Sequence, residues 1–249
     1  MALRCTQQER AAPPQRRAPD TIALMTVPGR LEAARLLLSL DPPAWFLRHA
    51  CAVADVAAWL GARVEANGTP VDRGAVEAAA LLHDVDKLPT SGADARLRHG
   101  EGSAAWLEAH GLDELAPLVR DHPVTHLADD ALAARLAGAP LEARLVAYAD
   151  KRAGQRLESM DERFASWARR YPSGPGAHVQ PRGGGGPAGT GWGDATAALV
   201  LARARELEGE ICALAGTAPE NVTRLRWSRR ALREAVRTAG HETAGATVR

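Results

Sequence analysis

Ala79-Ala80-Leu81-Leu82-His83-Asp84-Val85-Asp86-Lys87 is the stretch on which the reading of this chain turns. Apolar residues run straight into an imidazole and a carboxylate. A helix that buries Leu81 and Leu82 therefore carries His83 and Asp84 toward the core. A buried imidazole beside a buried carboxylate is costly unless the two are paired or bind a metal. Asp72 is placed to cap this helix, which runs from about Ala75 to His83. A loop with Pro89, Ser91 and Gly92 follows it.

The neighbouring segments are also helical. Leu31, Ala34, Leu37 and Leu38 share one face, and Pro42 and Pro43 stop that run. Ala44 to about Ala66 reads as a long helix with Val53, Val56, Ala57 and Leu60 at helical spacing. Glu101 to His110 forms another, with Gly111 as its C′ glycine and His110 as a C-terminal cap. Leu112 to His122 is helical until Pro123, a short helix covers 128–137, and Leu141 to Arg170 reads as one long helix. Two more helical stretches follow, 194–215 and 219–238. No strand-like alternation persists and no repeat is present, so the fold class is all-α.

Composition sets the broad class. The chain has 249 residues, 46% hydrophobic and 24% charged, which suits a packed globular core. No apolar run approaches the ~18 residues of a membrane span. The net charge of +1 is unevenly spread: +3 over residues 1–30, +4 over 220–249 and −6 between them. An acidic body with basic ends disfavours a nucleic-acid groove, and 4% aromatic residues disfavour a base-stacking platform. Cys5, Cys51 and Cys212 form no paired motif, which fits a reducing, cytoplasmic setting.

Residues 1–28 read as a disordered leader, with Met25 as an alternative start; Pro13, Pro14 and Pro19 argue against an amphipathic transit peptide. Residues 29–171 form the main domain. Residues 172–193, with nine Gly and four Pro, form a linker. A helical region over 194–240 and a disordered tail over 241–249 complete the chain.

Other residues with metal-binding or phosphate-binding chemistry surround His83 and Asp84. His49 lies on the second helix, whose apolar face includes Val53 and Val56. Asp150 sits inside the run Leu145-Val146-Ala147-Tyr148-Ala149. Of 31 basic residues only Lys87 and Lys151 are lysine, and each follows closely on one of the two acids.

His49, His83-Asp84 and Asp150, in that order, resemble the H…HD…D signature of the HD superfamily of metal-dependent phosphohydrolases. The run 80–87 is similar to that family's LLHDIGK motif, with Asp86 where Gly is usual. The match covers about residues 31–170 and makes 29–171 an HD domain. The resemblance implies a helical bundle with a C-terminal extension. It also implies metal ligation by His49, His83, Asp84 and Asp150. By likeness to dinuclear members, His99 and His122 would hold a second ion with Asp84 bridging, and His126 is a substitute for His122. The ligand set admits Fe, Mn, Zn, Ni or Co, as one or two divalent ions.

The activity implied is hydrolysis of a phosphoester or phosphoanhydride bond in a nucleotide-like substrate. Asp84 and Lys87 are the expected catalytic residues. Lys87, Lys151 and Arg152 would contact substrate phosphate; the alternatives are a loop salt bridge for Lys87 and helix-to-helix pairing for the other two. Asp86 reads as a solvated loop acid, with orientation of a ligand histidine as the alternative. His178 and His241 carry no role. An alternative function is nucleotide sensing or partner binding with little turnover. A third reading takes Arg224, Arg226, Arg229 and Arg230 as an RNA-binding tail. Exposed faces on the 141–170 helix could pair two copies.

Overall fold

The computed structural model describes residues 27–170 and 193–246. Among the described residues there are ten α-helices, short 3-10 turns and no strand, as the all-α reading expects. All of the expected linker but Gly193, and most of the expected leader, lie outside the described residues.

Helix α2 (Ala44–Ala66) is the axis of the fold. It begins after Pro43 and ends at Asn67, followed by Gly68 at φ +90°. That left-handed position favours glycine and terminates the helix. Every residue from His49 to Ala58 is buried. A helix buried all round is a core helix rather than an amphipathic surface one. Alanines at 50, 52, 54, 57 and 58 keep its sides small, so its neighbours pack close.

Helix α3 (Arg73–Leu82) packs on α2, and α1 (Arg30–Ser39) packs on α3 and on the C-terminal helix α10 (Trp227–Ala246). Asp72 caps α3 as expected, its Oδ1 accepting from the Ala75 N–H at 2.9 Å. Helices α4 (Glu101–Ala109), α5 (Ala116–Val119) and α6 (Asp130–Ala137) form the next layer. Helix α7 (Leu141–Arg152) lies against α2, α3 and α5.

Two expected helices are shorter than read. Between Leu112 and His122 only Ala116–Val119 is α-helical. The expected helix from Leu141 to Arg170 is broken into α7 and α8 (Met160–Arg170). The break begins at Ala153-Gly154, where a single bridge joins Ala153 to Leu157. Ser159 then starts α8 with a reciprocal cap: its Oγ accepts from the Glu162 N–H, and Glu162 accepts from the Ser159 N–H. The S-x-x-E pattern of that capping box is present in the sequence at 159–162.

Helices α9 (Asp194–Leu214) and α10 (Trp227–Ala246) are not a separate unit in the packing. Val200, Ile211, Trp227 and Ala231 belong to the same hydrophobic core as Leu60, Leu81 and Leu145. Helix α10 runs to Ala246, past the boundary expected at 240. A buried polar network also ties α9 to α7. Arg152 donates to the Tyr148 hydroxyl at 2.6 Å and to Glu208 at 3.0 Å, and the Tyr148 hydroxyl donates to Glu208 at 2.9 Å. Arg152 also donates to the Glu158 and Pro219 carbonyls.

Removing one partner of a buried charge pair leaves the other uncompensated. Arg152→Ala is therefore expected to cost about 3–5 kcal/mol in urea unfolding, and Tyr148→Phe about 1–3 kcal/mol. A loss of under about 1 kcal/mol for Arg152→Ala would mean that solvent screens the network.

Candidate metal centre

The centre forms where the ends of several helices meet. Helix α3 stops at Leu82, and His83 and Asp84 occupy the first residues past it. Val85–Lys87 then turns as a 3-10 helix. Side chains three apart eclipse in that geometry, which sets the Lys87 ammonium 2.8 Å from Asp84 Oδ2. Lys87 itself is exposed, whereas Asp84 is 1% exposed.

Asp84 is the hub. Its Oδ1 lies 3.1 Å from His122 Nε2, 3.2 Å from His99 Nε2 and 3.5 Å from His83 Nε2. Its Oδ2 lies 3.3 Å from His49 Nε2. Asp150, from α7, closes one side, 3.3 Å from His49 Nε2 and 3.7 Å from His83 Nε2. The six expected ligands thus fall into two sets that share Asp84: His49, His83 and Asp150 on one side, His99 and His122 on the other. The triads His49, His83, Asp84 and Asp84, His99, His122 each bring their donor atoms within reach of one ion.

Each ring is held by its other nitrogen. His49 Nδ1 meets the Gly154 carbonyl at 2.8 Å, His83 Nδ1 the Ala80 carbonyl at 2.8 Å and His122 Nδ1 the Val119 carbonyl at 2.6 Å. His99 Nδ1 lies 3.0 Å from both oxygens of Asp86. Carbonyl and carboxylate oxygens only accept, so each Nδ1 donates. In the neutral ring each Nε2 then presents a lone pair. His99 Nε2 and His122 Nε2 face each other at 3.1 Å, both beside Asp84 Oδ1. His83 Nε2 is buried with no hydrogen-bond partner. Imidazole nitrogens and two carboxylates converge, with the Lys87 ammonium as a donor at the rim; that donor set is what a divalent cation requires, so these residues fit a metal.

The electrostatics agree. Burial pushes Asp84 up, but His83, Lys87, His122 and His49 together hold it well below the ordinary carboxylate range. Asp150 is also held well below that range, where burial is outweighed by His49 and His83. Burial opposes a charge on His49, yet Asp150 and Asp84 raise it to about 9. Burial, with His99 and His83 nearby, lowers His122 to about 4. The two carboxylates stay ionised and attract positive charge.

Asp86 is not a solvated loop acid. It orients His99 and also accepts from the Gly100 N–H at 3.0 Å. Gly100 has φ +86°, and a Cβ there would sit 2.4 Å from the Arg120 carbonyl oxygen. The turn that presents His99 therefore needs glycine.

Two expected phosphate contacts are corrected. Lys151 is fully buried, and its ammonium donates to the His122 carbonyl at 2.8 Å and the Ala147 carbonyl at 3.1 Å. Arg152 is 3% exposed, with its donors committed to the α7–α9 network. Neither is presented to a substrate. His126 stands apart from the centre: it is buried and pairs with Asp121, which Arg135 also holds. His110 ends α4, with Nδ1 on the Trp106 carbonyl and its ring stacked on Trp106. His178 lies outside the described residues.

No helix among the described residues is long and apolar enough to cross a membrane. No curated protein and no solved structure matches the chain. The family model of the HD domain matches residues 46–154, a span that holds all six clustered residues, from His49 on α2 to Asp150 on α7. Residues 46–154 of this chain are thus an HD domain.

Proposed function

We propose that the chain is a metal-dependent phosphohydrolase acting on a nucleotide-like phosphoester or phosphoanhydride. HD domains are in general metal-dependent hydrolases. The observation that carries the reading is the pair of Nε2 lone pairs at 3.1 Å beside Asp84. Two ions are favoured over one because His83 Nε2, also without a hydrogen-bond partner, groups with His49 and Asp84 in a second triad.

In this reading His49, His83, Asp84 and Asp150 hold one ion, and Asp84, His99 and His122 the other. Divalent ions bound there would supply Lewis acidity toward a phosphoryl oxygen and acidify water. The chain's own part is positional. Four imidazoles are oriented through Nδ1 before any ligand arrives. Asp84 turns Oδ1 to His83, His99 and His122 and Oδ2 to His49. Among the described residues Lys87 is the one exposed cation within hydrogen-bond reach of Asp84, and it can turn from that carboxylate to an incoming phosphoryl oxygen.

The domain reading that goes with this takes 29–171 as the catalytic unit, with 194–240 packed on it as a helical extension. Cys51 and Cys212 are free and buried, which suits a cytoplasmic protein.

Metal per chain tests the centre. After loading with Fe(II) or Mn(II), elemental analysis is expected to find about two equivalents in the natural chain. His99→Ala or His122→Ala should retain about one, and Asp84→Ala should retain neither and lose turnover. One equivalent in the natural chain would remove His99 and His122 from the centre. No metal under any loading would replace the enzyme with a nucleotide-binding protein of little turnover.

Two substitutions separate roles. Asp86→Asn should weaken the second ion by about 10–100-fold and leave the first in place, read by competition with a metallochromic dye. Lys87→Ala should keep both ions and lower kcat/KM on a dinucleoside polyphosphate or nucleoside phosphate by about 100-fold. Unchanged kcat/KM would return Lys87 to a purely structural salt bridge.

A further inference from the structure

The segment that enters α10 brings Arg224, Arg226, Arg229 and Arg230 to one side of the molecule. The side chains of these four make no hydrogen bond or ion pair with a described residue. Elsewhere many arginines are matched: Arg30 with Glu77, Arg135 with Asp121, Arg152 with Glu208 and Arg237 with Glu234. Unmatched guanidiniums gathered in one place repel one another, and an anion placed among them would remove that repulsion.

They also line space. A cavity of about 490 Å³ is lined by Leu31, Trp227 and Ala231 and by Arg30, Arg226 and Arg230; the Arg30 guanidinium, paired with Glu77, lies 5.1 Å from the centre of the Trp227 ring. A second cavity, of about 180 Å³, is bounded by Arg224, Arg226, Arg229 and Asp55. Arg226 lines both. Asp55 is buried, and its Oδ1 accepts from the Ser228 N–H at 3.1 Å in the first turn of α10. Three guanidiniums face that single carboxylate. Glu234, at the edge of the larger cavity, is already paired with Arg237.

We propose that the joined cavities bind a small phosphorylated ring compound, a nucleoside phosphate in chemical class. Its phosphates lie among Arg224, Arg226 and Arg229, and its ring lies on Leu31, Trp227 and Ala231. Guanidinium forks match phosphate oxygens in pairs. The apolar cavity falls within the size range of small-ligand sites, roughly 300–1,000 Å³. A nucleic-acid strand fits less well, because the run of unpaired arginines is short and Glu234 lines the larger cavity beside it. The site is distinct from the metal centre. Asp55 and His49 both lie on α2, about 9 Å apart along its axis.

The test is calorimetric titration of the full chain with ADP in EDTA, so that the metal centre takes no part. Saturable binding at one ADP per chain is expected. The double variant Arg226→Ala/Arg229→Ala should weaken it by about tenfold or more. Arg233→Ala, an exposed arginine of α10 outside both cavities, should leave it unchanged. Circular dichroism of each variant checks that folding is intact. Absence of saturation, or equal affinity in the double variant, would overturn the proposal. Inorganic pyrophosphate binding as tightly as ADP would overturn the ring seat. An RNA homopolymer binding more tightly than ADP would overturn the small-molecule assignment in favour of a strand.

Discussion

Asp84 is a carboxylate with almost no contact with water, and the fold is organised around keeping it ionised there. An isolated buried charge would neutralise itself or destabilise the chain. Here four imidazoles and one ammonium reach it from separate parts of the chain: His49 on α2, His83 past α3, Lys87 in the 3-10 turn, His99 before α4 and His122 past α5. Most of these positions are helix ends, where the last carbonyls of a helix lack partners within it. The fold uses those carbonyls to hold rings. Ala80 holds His83, Val119 holds His122, and Gly154, in the break after α7, holds His49. The same unmatched oxygens that end the helices thus fix the tautomers that make the rings ligands.

This arrangement depends on close helix packing behind it. Alanine on α2 lets α3 and α7 approach, and the ends of both then lie within one side chain's length of His49. The break after α7 has a function as well as a shape. A continuous helix through 153–159 would have kept the Gly154 carbonyl in its own ladder, away from His49. Beyond the break, Arg152 anchors the Glu158 carbonyl and ties α7 to α9. The C-terminal helices therefore brace the element that carries Asp150.

Much of this was legible in the sequence, because its signals are local. The all-α class followed from periodicity, α2 and the Asp72 cap from composition and residue type, and the order of His49, His83, Asp84 and Asp150 from a family resemblance. What was not legible depended on contacts across the chain. Asp86 is thirteen positions from His99, and nothing in its neighbours says that its carboxylate turns inward. The break after Arg152 was readable from Gly154 and from the S-x-x-E box at 159–162, but an apolar helical period on both sides masked it. Lys151 and Arg152 do not reach a phosphate, and Arg152 takes the helix-to-helix alternative with Glu208; proximity to Asp150 in sequence says nothing about which face of α7 either occupies.

The two lysines of this arginine-rich chain show why side-chain shape matters at the centre. Lys87 and Lys151 each lie close to an acid of the site, yet they do opposite things. Lys151 is sealed inside, where burial lowers it to about 8, and it spans two carbonyls, His122 and Ala147. A compact ammonium with three donors in a tetrahedron can join those two oxygens, and a planar guanidinium fork would need a wider slot. Its hydrogen bond to the His122 carbonyl fixes the backbone on which that ligand stands. Lys87 is exposed and carries a point charge on a flexible stem. An arginine there could clamp Asp84 in a bidentate pair and compete with a cation for both of its oxygens. A single ammonium engages Oδ2 and leaves Oδ1 to His99 and His122. At both places the smaller, rounder cation keeps a ligand in position without occupying the metal's place.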